Sequence, residues 1–109
     1  MPNTYKVLGQ AVPSAASTLT TLYTVPSATS TVASTLTICN TGVSTTVRVA
    51  VRPAEAAIVD KHYIVYETAL NQYDTLFFTL GLSLATTDVV SIYAGTITVA
   101  FNLYGTEIT

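Results

Sequence analysis

Charge is scarce in this chain and unevenly placed. Of four basic and six acidic residues in 109, Arg48, Arg52, Glu55, Asp60, Lys61, Glu67 and Asp74 fall between positions 48 and 74, with the only histidine, His62, among them. Asp60, His62 and Glu67 are the residue types that carry general acid–base work or ligate a metal. Their spacing argues against both. Lys61 puts a cation between two of the candidates, and His62 and Glu67, on a continuous strand, point to opposite faces. The sequence holds no glycine-rich phosphate loop, no nucleophile elbow and no metal-binding histidine pair. Neither a catalytic residue nor a metal or cofactor site is therefore expected, and the charges are read as loop charges and ion pairs.

Tyrosine is the other candidate. Tyr63, Tyr66 and Tyr73 share the charged stretch, and their rings suit a protein interface or the stacking of a sugar. Together with Arg48 and Arg52, and with Tyr5, Lys6 and Val7 near the N-terminus, they form the candidate interface set. Cys39 has no partner for an intrachain disulfide and lies in an apolar run, where it is expected as a small buried hydrophobe.

Composition narrows the partners. Only 9% of residues are charged, against about 25% in an ordinary soluble domain. So little self-repulsion favours a surface covered by copies of the same chain or by a larger assembly. With four cations and a net charge of -2, nucleic acid is not an expected partner. No apolar run is long enough to cross a membrane as a helix, so no membrane partner is expected. Residues 1–4 have neither a charged n-region nor an apolar h-region, and no signal peptide is expected.

These side chains must be carried by strands. Residues 45–52 (TTVRVAVR) alternate cleanly, with Val47, Val49 and Val51 inward and Thr46, Arg48, Ala50 and Arg52 outward. Residues 31–39 alternate with Val32, Leu36 and Ile38 on one side and Ala33, Thr35, Thr37 and Cys39 on the other. Residues 75–85 put Leu76, Phe78, Leu80, Leu82 and Leu84 together, with Gly81 marking a bulge or a close backbone approach. Further runs at 4–10, 18–25, 61–67, 89–94 and 96–105 give about eight strands separated by turn signals at Pro26, at Asn40-Thr41-Gly42 and at Pro53. Residues 54–60 are the only helix candidate, either one helical turn or a loop. The expected fold is all-β: a single-domain antiparallel β-sandwich, jelly-roll or immunoglobulin-like, over residues 18–109. Residues 1–17 form an N-terminal arm with a short strand, either exchanged with a neighbour or folded back as an edge strand.

The stretches Tyr23-Thr24-Val25-Pro26, Cys39-Asn40-Thr41-Gly42, Arg52-Pro53-Ala54, Lys61-His62-Tyr63 and the Phe101-Asn102…Gly105…Glu107 ending cover nearly the whole chain. In this wording the sequence resembles small β-sandwich virion proteins of tailed bacteriophages, including cyanophage types. The resemblance implies a structural component of a phage particle, foremost a capsid decoration (cement) protein. Such a protein would sit on the head as a homo-oligomer, a trimer by preference, against the major capsid protein at capsomer junctions. A tail, neck, baseplate or fibre-tip part contacting host glycan is the alternative. The shared motifs mark turns and strands, so the resemblance transfers no active-site residue.

Overall fold

The computed structural model describes residues 2–109. Met1, the first residue of the expected arm, lies outside them. Eight strands follow one another: β1 (Asn3–Ala11), β2 (Thr20–Thr24), β3 (Ser30–Asn40), β4 (Thr45–Arg52), β5 (Tyr63–Leu70), β6 (Thr75–Leu84), β7 (Val89–Ala94) and β8 (Val99–Ile108). They make two four-stranded antiparallel sheets, β1-β8-β3-β6 and β2-β7-β4-β5. First pairs with last, second with seventh, third with sixth and fourth with fifth. That is one long hairpin of four strand pairs wrapped over itself into two layers, the jelly roll. Of the two sandwich topologies the sequence allowed, the strand order selects this one.

Alternation explains the layers. Leu36, Ile38, Phe101 and Leu103 from the first sheet meet Val47, Val49, Val90 and Ile92 from the second, all without solvent exposure. Each such side chain contributes about 1.5–3 kcal/mol by leaving water. Ala50, expected outward, is also fully buried. It lies between Ser91 of β7 and Tyr63 of β5. Arg52 crosses above this row, its Nε donating to Ser91 Oγ (3.1 Å) and its Nη1 to the Ala56 carbonyl (3.0 Å). The loop after β4 is thereby held over the sheet.

Strand parity breaks where the strands bulge. In β3 the register shifts between Ala33 and Thr35 against both neighbours. Ala33 is therefore buried and Val32 is 39% exposed, the reverse of the simple alternation. The same irregularity crosses β1 between Val7 and Gly9, and β6 beside Gly81, as expected there. Nothing lies within 4 Å of a Cβ built on Gly81, so that glycine serves the bulge and not a close approach. Gly42 does not adopt positive φ. Its Cβ would instead meet the Thr98 side chain at 2.6 Å.

Other local expectations also shift. Of the two forms open to residues 54–60, the structure takes the loop and not the α-helical turn. Short 3-10 turns at Pro53–Glu55 and Asp60–His62 flank an extended loop instead. The last strand starts at Val99 and runs to Ile108, leaving Ile97 exposed in the preceding turn. Cys39 is half-buried, not buried, because it points to the outer face of its sheet beside Thr75 and Ala100. Residues 3–11 fold back within this one chain. β1 pairs with β8 along its length, and Leu8 enters the core. Among the described residues no helix is long and apolar enough to cross a membrane.

Candidate functional site

The outer face of the second sheet gathers a compact cluster of charge and aromatic rings. Arg48 stands in the middle of β4, opposite Tyr93 of β7. On its other side β5 bulges. Val47 faces Thr68 and Val49 faces Val65, so Tyr66 and Glu67 both stand opposite Arg48. Glu67 adopts φ 49 at this point. A second irregularity, around Ile64, returns Tyr63 to the outer face beside Ala50. Without these bulges Tyr63 and Tyr66, three apart, would lie on opposite faces.

The guanidinium therefore packs against three rings. Its carbon lies 4.2 Å from the Tyr93 centroid, 4.5 Å from Tyr66 and 5.9 Å from Tyr63. These are cation–π distances. Tyr63 and Tyr66 meet edge to face at 4.8 Å. Arg48 also forms an ion pair with Glu67, whose second oxygen accepts from Thr46 Oγ1 at 2.7 Å. The Thr46 hydrogen bond, then that of Arg48, holds the Glu67 carboxyl below the usual carboxylate range. A shallow pocket of about 370 Å³ opens beside the cluster, lined by Asp60, Tyr63 and Tyr66.

The three acid–base candidates do not converge. His62 is buried, and its Nδ1 accepts the Val59 backbone N–H at 3.2 Å, closing the loop that bears it. Glu67 is committed to Arg48 and Thr46. Among the described residues no three His, Cys, Asp or Glu side chains come together as a metal site. Such an arrangement offers a fixed cation, ring faces and one carboxylate: groups for contact, with no base poised on a nucleophile.

The remaining candidates are dispersed. Tyr73 is 76% exposed in the turn between β5 and β6 and does not line the pocket. Tyr5 and Val7 project from the outer face of the first sheet, Tyr5 at 81% exposure. Lys6, between them, points the other way and pairs with Glu107 at 3.3 Å. Arg52 is used on Ser91 and the loop after β4.

Two features lay beyond sequence reasoning. One is the outer face of the first sheet, where the register aligns Phe77, Thr37, Asn102 and Gln10 in one row and Thr79, Thr35, Tyr104 and Val7 in the next. Neither row holds a charge. The other is the part played by Tyr93, which needed the β4–β7 pairing to be known.

No protein-family model, curated protein or solved structure matches the chain.

Proposed function

We propose that the chain is a structural subunit of a phage particle, a capsid decoration protein that packs with copies of itself and with the major capsid protein at capsomer junctions. The observation carrying this reading is the broad uncharged outer face of the first sheet, with Tyr5 and Phe77 standing out from it. Burying such a face strands no ion, and its uncharged, threonine-bearing rows suit close contact with another protein. The jelly roll, common in capsid proteins, and the resemblance of the chain's turn motifs to small phage virion proteins support the same reading. The test is the location of the chain in the source virion by cryo-electron microscopy. Many copies spread over the head are expected. Copies confined to the tail would overturn the head placement, and their absence from purified particles would overturn the virion role.

The pocket at Asp60, Tyr63 and Tyr66 favours a second reading, a tail or fibre-tip part that contacts host glycan. An exposed tyrosine ring beside a carboxylate fits a sugar, whose C–H face stacks while its hydroxyls donate. Retention on host envelope polysaccharide that is lost in Tyr66→Ala would support it. Equal retention of both chains would count against it.

A further inference from the structure

We infer that the β6 edge of the first sheet is a two-fold self-association surface, where two copies pair β6 with β6 antiparallel. This deepens the assembly reading above by naming one interface.

Each sheet has two open edges, and three of the four are guarded. β1 carries Lys6 and a bulge, β2 is only five residues long, and β5 carries Glu67 and two irregularities. Charge, brevity and bulging are how soluble proteins prevent edge-to-edge pairing. β6 runs ten residues (TLFFTLGLSL) without a charge or a proline. Its one irregularity lies beside Gly81, so Phe77 and Thr79 turn unpaired backbone groups outward in regular alternation, and the outward Thr75 N–H is held by its neighbour Asp74 Oδ1 at 2.9 Å, a bond that pairing must exchange.

Side chains at this edge also lack cover. Phe77 is 75% exposed, and the inward-facing Leu76, Phe78, Leu80 and Leu82 are only partly buried. Their neighbours on β3 and β8, such as Leu36 and Leu103, are fully buried. The sandwich is therefore open on the β6 side.

A second copy of the chain fits this edge because residues 75–79, Thr-Leu-Phe-Phe-Thr, suit pairing with themselves. An antiparallel match about Phe77 sets Thr75 against Thr79, Leu76 against Phe78, and Phe77 against its own equivalent. No like charges meet, and aromatic cross-strand pairs are among the more favourable ones. Main-chain hydrogen bonds would join the two four-stranded sheets into one of eight strands. The contact is isologous and closes on itself.

Sedimentation equilibrium of the full chain, at concentrations up to about 100 µM to reach weak specific contacts, tests this alongside Phe77→Lys and Thr79→Lys. Both substituted side chains point to solvent in the single chain, so circular dichroism should stay native, and the melting temperature should match the native chain's at dilutions where the native chain is itself monomeric. The native chain should sediment as a dimer and both variants as monomers. In a Cys39→Ser background, Phe77→Cys should form an intermolecular disulfide under mild oxidation. An oligomer unchanged by the lysines, or a mass of three subunits, overturns the edge assignment and leaves the assembly reading standing. A native monomer at the highest concentration overturns the edge assignment, while abundance on virions judges the assembly reading separately.

Discussion

Asn40 shows how much structure one buried polar side chain can organise. It is 1% exposed. Its Nδ2 reaches the carbonyls of Val43 (2.6 Å), Asn71 (3.3 Å) and Leu70 (3.4 Å). Its Oδ1 accepts from the Gly42 N–H and from Thr98 Oγ1, each at 3.0 Å. Three loops at one end of the sandwich are thus tied to a single amide. Asn40→Ala removes hydrogen bonds to all three, one of them to the buried Leu70 carbonyl, and should cost about 2–4 kcal/mol in urea titration. In sequence this residue reads only as a turn marker beside Gly42, since nothing local shows that the other two loops come to it. Tyr23 plays a smaller part at the opposite end. Its hydroxyl donates to Glu107 Oε2 (2.6 Å) and shares a hydrogen bond with Thr31 (2.8 Å). Burial, then the Glu107 contact, pushes the Tyr23 hydroxyl up to about 12, and the Tyr23 hydrogen bond leads those that lower Glu107. A raised folded pKa keeps its stabilisation below the ordinary 10.0 and loses it as pH climbs towards about 12. For the lowered Glu107, stabilisation is held above the ordinary 4.5 and lost as pH falls below it. Tyr23→Phe should cost about 1 kcal/mol at neutral pH and flatten both limbs of the stability–pH curve. Limbs as steep as in the native chain would mean that other groups set them.

At the scale of elements, period-two patterning is legible, and of the bulges only the one that Gly81 marks in β6 is. β4 and β7 run as alternation and turn residues place them, and the inward set of β6 is Leu76, Phe78, Leu80, Leu82 and Leu84. Reading fails where β3 and β5 take in an extra residue. The bulge in β3 inverts Val32 and Ala33, and those in β5 bring Tyr63, Tyr66 and Glu67 onto Arg48. A bulge is set by the neighbouring strand, which a linear pattern does not contain. That is why the candidate cluster could be listed by residue type from the sequence but not assembled. Gly105 makes the dependence concrete. It faces Ala33 and Lys6 where the irregularity crosses the sheet. A Cβ there would strike the Val32 carbonyl oxygen and come within 2.9 Å of Ala33 Cα and 3.0 Å of Leu8 Cδ1. Two of those atoms are backbone and cannot swing away. Gly105→Ala should therefore cost about 3 kcal/mol by overpacking, whereas Gly81→Ala, with open space, should cost far less. Equal midpoints for the two variants in chemical denaturation would contradict this account.

The wrapped hairpin makes the whole molecule depend on contacts between distant parts of the chain. β1 and β8 are neighbours in space and sit at opposite ends of the sequence. The two chain ends even share a hydrogen bond, Thr109 N to Pro2 O at 3.1 Å. Bringing such remote segments together costs loop-closure entropy before any contact repays it, and this slows folding. The closeness of the ends offers a direct test by circular permutation. A short Gly/Ser bridge can join Thr109 to the N-terminus, with new ends opened between Gln72 and Tyr73 in the exposed turn before β6. No strand is cut, and the Asn71 carbonyl that Asn40 holds stays in place. In the permuted chain β8 and β1 become a hairpin, and the β8–β3 and β2–β7 pairings also grow more local. β3–β6 and β7–β4 become less so, but the mean separation of paired strands falls. The permutant should retain the native circular dichroism spectrum and refold faster than the native chain in stopped-flow experiments. Slower refolding would mean that the rate is set by pairing β3 with β6 or β4 with β7, the two contacts that permutation lengthens, and not by closing the ends of the chain.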